Sequence, residues 1–163
     1  MKKIIQYIKI TVIILLICTL FLFRFCIVNG TSMEDTYFDK QIHLMYDGYF
    51  LEPKHSDIVV IKYNNFNDRH WGLVDGSKKY SLIIKRVIGV PGDTIEIRNN
   101  TVYLNNQKLD EPYLKAHDAF DDMEAYTLAQ DEYFVMGDNR DDSLDSRLIG
   151  PVYSEEVYGI IIL

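Results

Sequence analysis

The chain has 163 residues, 48% hydrophobic and 25% charged, with a net charge of −7, which is room for one apolar segment and one domain of ordinary size. Residues 1–28 carry Lys2, Lys3, Lys9 and Arg24 and no acid, which leaves the remainder at −11. A body so acidic excludes a nucleic-acid partner, whose phosphates demand clustered Lys and Arg.

The first predicted element is the apolar run Ile10 to Phe23, in which Thr11 and Thr19 are the only polar side chains. As a helix it reaches roughly 21 Å, short of the ~30 Å hydrocarbon core. Ile4 to Lys9 and Phe25 to Val28 complete a span if Lys9 and Arg24 snorkel toward the interfaces. Lys2 and Lys3 put the N-terminus in the cytoplasm. Residues 1–28 are therefore expected to be a single-pass transmembrane anchor, and residues 29–163 an extracytoplasmic domain. Neither a small-x-small cleavage pattern nor small residues before Cys26 follow the run, which argues against a cleaved secretory or lipoprotein signal. Cys18 and Cys26 both lie in or beside it, so the domain has no disulfide framework and no cysteine metal site.

Past the junction Asn29-Gly30-Thr31-Ser32-Met33, the chain reads as strands and turns. Gln41 to Tyr49 is one strand or an irregular approach to one. Ile58-Val59-Val60-Ile61 follows the turn His55-Ser56-Asp57 and suits a buried strand. Asn64 to Lys79, with Trp71, is a polar loop. Ser81 to Val90 is a second strong strand, ending at Pro91-Gly92-Asp93. Thr94 to Arg98 and Thr101 to Leu104 make a hairpin across Asn99-Asn100, and Asn105-Asn106 turns again. Lys115 to Asp131 is acidic and reads as a short helix or a surface insertion, part of a variable stretch around 110–131. Glu132 to Met136 and Val157 to Leu163 are the last strands. The fold class is mostly β.

A lone serine such as Ser32 is rarely catalytic, and His43, His55, His70 and His117 lie in no motif-like setting. Lys85 interrupts an apolar β-branched run. It is either on the solvent face of an edge strand or buried, and a buried lysine loses proton affinity and gains the ability to deprotonate a serine. Gly137 to Arg147 packs Asp138, Arg140, Asp141, Asp142, Asp145 and Arg147 beside two serines, a set able to lock itself by charge-assisted hydrogen bonds.

Together these stretches resemble a type I signal peptidase of the Gram-positive form, with one N-terminal anchor. The matching residues are Ser32-Met33 with Thr36, Ser56-Asp57-Ile58-Val59-Val60, Lys85 through Asp93, Gly137-Asp138-Asn139-Arg140 and Ser143-Leu144-Asp145-Ser146-Arg147. The resemblance implies a mostly β signal-peptidase fold, no metal or cofactor, and a membrane-bound serine endopeptidase. Its partners would be membrane lipid and exported preproteins with small residues at −1 and −3. Ser32 would be the nucleophile, Lys85 the general base and Ser143 the group orienting the Lys85 amine. Asp145 would pair with Arg147 or Arg86, Met33 would line the substrate pocket, and the Ser32 N–H would face the oxyanion. Gly30 stands where some family members have a serine donor. Asp35 replaces the usual proline of Ser-Met-x-Pro-Thr, and Tyr37 the usual leucine. A specialised or weakly active relative that binds rather than cleaves, in pilus or surface-protein assembly alongside secretion-machinery proteins, is the alternative.

Overall fold

The computed structural model describes residues 2–34, 36–48, 52–63, 80–114 and 120–162. Asp35, Trp71, His70 and His117 lie outside the described residues, as do the loop 64–79 and residues 115–119.

The first element is α1 (Lys2–Leu22). Its described apolar side chains, from Ile4 to Leu16, are about half exposed or more. Lys2, Lys3 and Lys9 leave only the second part of it uncharged, and among the described residues no helix is long and apolar enough to cross a membrane. The expectation that Phe25 to Val28 prolongs the span is corrected by β1 (Phe23–Ile27), which pairs antiparallel with β2 (Ile42–Asp47), Phe23 opposite Tyr46 and Ile27 opposite Ile42. Phe23, Phe25 and Ile27, alternating with Arg24 and Cys26, suit a strand, and β2 takes up backbone groups that a helix end would leave unpaired.

After β2 come β3 (Ile58–Tyr63), β4 (Ser81–Gly89), β5 (Thr94–Arg98), β6 (Thr101–Leu104), β7 (Gln107–Lys108) and β8 (Met123–Thr127). The chain closes with β9 (Glu132–Met136), α2 (Ser146–Ile149), β10 (Val152–Tyr153) and β11 (Val157–Ile161). A seven-stranded sheet has the order β1-β2-β11-β3-β4-β9-β10, and a four-stranded sheet the order β7-β6-β5-β8. All the pairings are antiparallel, as turn-rich β sequences favour. The β5–β6 turn has Asn99 and Asn100 both at positive φ, 49° and 60°, the conformation a two-residue hairpin requires.

Within Lys115 to Asp131, expected to be a short helix or a surface insertion, the helix is replaced by β8, which pairs with β5 from Thr94 opposite Thr127 to Ile97 opposite Met123. Ile88, Ile95, Ile97, Val102, Leu128, Phe134 and Met136 form the core that joins the two sheets. A second core, Val59, Ile61, Val87, Tyr133, Val135, Val152, Val157 and Ile160, lies within the large sheet. A third gathers Val28, Met33, Tyr37, Met45, Ile58, Val60 and Ile161. Through Met33 this last core anchors the turn that carries Ser32.

Candidate active site

Ser32 sits on a tight turn. Glu34 N–H donates to Thr31 O at 3.0 Å, and Thr36 and Tyr37 N–H donate to Met33 O at 2.9 and 2.8 Å. Met33, 1% exposed, roots the turn in the core, so its serine neighbour is held at the surface of a rigid body. The turn is also strapped to the loop 137–145. Asn139 N–H donates to Ser32 O at 3.1 Å, Asn139 Nδ2 to Thr31 O at 3.2 Å, and Thr31 Oγ1 to Asp142 Oδ2.

Lys85 is buried, at 2% exposure, so the solvent-face placement is excluded. Strand β4 pairs with β3 from Ser81 to Arg86, with Val59 opposite Lys85, and this fixes its backbone. Its Nζ donates to Ser32 Oγ at 2.7 Å and to Ile84 O at 2.9 Å. Burial pushes the amine down to about 8, against Asp145, Asp138 and Asp142, whose carboxylates favour the ammonium, and with help from Arg147. An amine so placed is neutral over part of the ordinary pH range and touches the one hydroxyl it would deprotonate.

Asp145, 0% exposed, pairs with Arg147 and not with Arg86. It accepts from Arg147 Nε and NH2, each at 2.8 Å, and from Gly137 N–H at 2.9 Å. Burial alone would raise its carboxyl; the Arg147 guanidinium and the Gly137 N–H outweigh that and hold it below the usual range. Asp145 also caps α2, accepting from Arg147 N–H. Arg86 has its own partner: Nε and NH2 grip Asp138 at 2.8 and 2.6 Å, and NH1 donates to Ser56 O at 3.1 Å. Thr36 Oγ1 donates to the same Asp138 carboxylate.

Ser143 Oγ is buried and makes no hydrogen bond to the Lys85 amine, so the bond expected of it is absent; its hydroxyl instead helps hold the Asp145 carboxyl low. The amine's donors go to Ser32 Oγ and Ile84 O. Ser143 nonetheless packs at the centre: a Cβ on Gly137 would come within 2.2 Å of Ser143 Oγ and 2.5 Å of Ser32 O. Only glycine lets the loop close on the serine. The two described histidines have partners other than Ser32: His55 Nε2 lies 2.6 Å from Asp93 Oδ2, and the His43 ring tilts against Tyr37 at 4.2 Å between centroids.

Ser32 and Lys85 open onto a cleft of about 790 Å³, walled by Phe25 to Val28 on one side and Ser81 to Ile84 on the other, with Met33 and Met45 among its lining. Met33 thus both fills the core and reaches the cleft. β1 is the outermost strand of the large sheet, and among the described residues β4 pairs with β9 only from Arg86 onward, so each wall is a sheet edge.

Sequence reasoning passed over Glu111 and Tyr113. Arg140, 1% exposed at the side chain, forks onto the Glu111 carboxylate, to which Tyr113 Oη also donates at 2.9 Å. Arg86 stacks on the Tyr113 ring at 3.9 Å. No local pattern announces these contacts; the partners are 29 residues apart in sequence.

The whole chain, residues 1–163, matches the family described as "Signal peptidase, peptidase S26". It is 36% identical to "Signal peptidase I" of Bacillus licheniformis over 88% of this chain and 76% of that one. It is 36% identical to "Signal peptidase I S" of Bacillus subtilis strain 168, over 90% and 79%. The crystal structure of a signal peptidase I from Enterococcus faecalis V583 superposes with a TM-score of 0.52 at 29% identity, covering 69% of this chain and 98% of that one.

Proposed function

This chain belongs to the signal peptidase family, peptidase S26, and is a serine peptidase; we propose that it removes N-terminal signal peptides from exported preproteins with Ser32 as nucleophile and Lys85 as general base. The observation that carries the proposal is the 2.7 Å contact between Lys85 Nζ and Ser32 Oγ, made by an amine whose burial favours its neutral form.

In that form Lys85 accepts the Ser32 proton as Oγ bonds to the scissile carbonyl carbon. The carbonyl oxygen becomes anionic and takes a hydrogen bond from the Ser32 backbone N–H, since Gly30 has no hydroxyl to add. Collapse expels the amine of the mature protein, which receives the proton from Lys85, and leaves the signal peptide esterified to Ser32. Lys85 then deprotonates a water, which attacks the ester. Ser32 recovers the proton, and the signal peptide departs as a carboxylate.

Ser143, Asp145, Arg147 and Arg86 act through the loop 137–147 and keep the amine in place. The substrate would lie extended in the cleft between β1 and β4, where alternate residues face one wall. This supports selection of small residues at −1 and −3 against a wall that includes Met33. The exposed apolar side chains of α1 and its basic start support anchoring in membrane lipid with the N-terminus in the cytoplasm and Ser32 near the outer face. Binding without cleavage, in pilus assembly, is not favoured, because both reacting residues are retained and in contact.

The test is to incubate the purified chain in detergent with a model preprotein and sequence the new N-terminus. The cut should fall after a small residue, and a bulky replacement at −1 should stop it. Cleavage indifferent to the size of that residue would overturn the substrate assignment.

A further inference from the structure

Three arginines surround the pair Ser32 and Lys85 without touching it, and two of them are held by one short segment outside both sheets. Arg140 Nε donates to Gly137 O at 3.1 Å, so the Gly137 peptide is pinned at its carbonyl by Arg140 and at its N–H by Asp145. That peptide packs against Ser32 O and Ser143. Arg140, 1% exposed at the side chain, depends in turn on its carboxylate partner Glu111, 10% exposed. Arg86 follows Lys85 directly in β4, and one face of its guanidinium rests on the Tyr113 ring at 3.9 Å while its donors grip Asp138. Tyr113 Oη donates to Glu111 at 2.9 Å, which ties the two supports together.

We propose that Glu111 and Tyr113 are positioning residues of the peptidase site, a clamp that sets the Gly137 peptide through Arg140 and the Lys85 backbone through Arg86. The proposal rests on the assignment of Ser32 and Lys85 as the reacting pair. A guanidinium buried beside Gly137 without its carboxylate would draw toward other acceptors, and the nearest carboxylates on this loop already hold the site together. A stacked ring fixes the plane of Arg86 in a way an aliphatic side chain cannot. Displacing either support moves the serine and the amine relative to each other, and displacements near 1 Å cost on the order of 100-fold in rate.

The experiment measures kcat and KM for the full chain in detergent, on a peptide spanning a preprotein cleavage site, at temperatures well below each variant's Tm. Glu111→Gln and Tyr113→Leu should each lower kcat roughly 10- to 100-fold with KM within about twofold. Tyr113→Phe, which keeps the ring beneath Arg86, should restore kcat to within about threefold of the parent. Folded Glu111→Gln and Tyr113→Leu proteins with the parent's kcat would overturn the proposal, as would equal losses in the Phe and Leu variants. Ser32→Ala and Lys85→Met run alongside: if both stay active, the reading of the reacting pair fails. If both are inactive while the Glu111 and Tyr113 variants are normal, only the clamp fails.

Discussion

At Lys85 burial and charge oppose each other, and with Lys85 as the proposed base their balance would set the working pH. Burial drives the amine toward neutrality and brings it to about 8, while Asp145, Asp138 and Asp142 pull the other way. A base that must be neutral loses activity as pH falls below its pKa, so kcat/KM should rise with pH to a plateau above about 8. Asp142→Asn removes one carboxylate that favours the ammonium and should move that limb to lower pH, read from the pH–rate profile of the two proteins. A limb that moved up instead would mean that Asp142 acts through its bond with Thr31 rather than through its charge. At this scale the burial of Lys85 was not decided by its sequence, since an amine inside a β-branched run suits a solvent face as well as a core, and Ser32 was singled out only by the resemblance to a family. Glu111 carried no mark at all, since an acid next to Pro112 in a polar stretch conflicts with nothing.

Among the elements, the loop 137–147 depends on Asp145 more than on any other side chain, because that carboxylate holds Gly137 N–H, caps α2 and neutralises Arg147 at once. Asp145→Asn would leave the Arg147 guanidinium, 11% exposed at the side chain, without its charge partner. The expected loss is about 3–5 kcal/mol of unfolding free energy, measured by urea denaturation, with activity lost in parallel. Strands β3 and β4 and the β5–β6 hairpin were readable from apolar runs, alternation and paired asparagines. β1 was not, because an apolar run feeding into Phe-Arg-Phe-Cys-Ile reads equally as the end of a membrane helix, and only pairing with β2 decides it. β8 escaped because Glu124 to Thr127 is exposed, so no face of it carries a core pattern. The two-residue strands β7 and β10 and the single turn α2 are too short for any periodicity to register.

The whole molecule is a peptidase body whose first strand is the continuation of its N-terminal helix. Deleting residues 1–22 would leave β1 and the cleft intact, so the shortened protein should keep its Tm and cleave a short peptide. If α1 anchors the chain in lipid as proposed, the shortened protein should lose at least tenfold in rate on a preprotein embedded in vesicles, where enzyme and substrate would no longer share one plane. Deleting residues 1–28 would also strip β2 of its partner and remove one cleft wall, and should lower Tm and abolish both activities. Both truncations test the proposed delivery of the body to its substrate; the proposed reaction rests on two side chains. The most direct measurement is therefore kcat/KM for preprotein cleavage by the full chain in detergent, compared with Ser32→Ala and Lys85→Met at matched folded concentration. The 2.7 Å pair predicts that each substitution lowers the rate by at least 1,000-fold, roughly the scale at which single removals disable such a unit, while the fold persists. Cleavage at the parent's rate by either variant would contradict it.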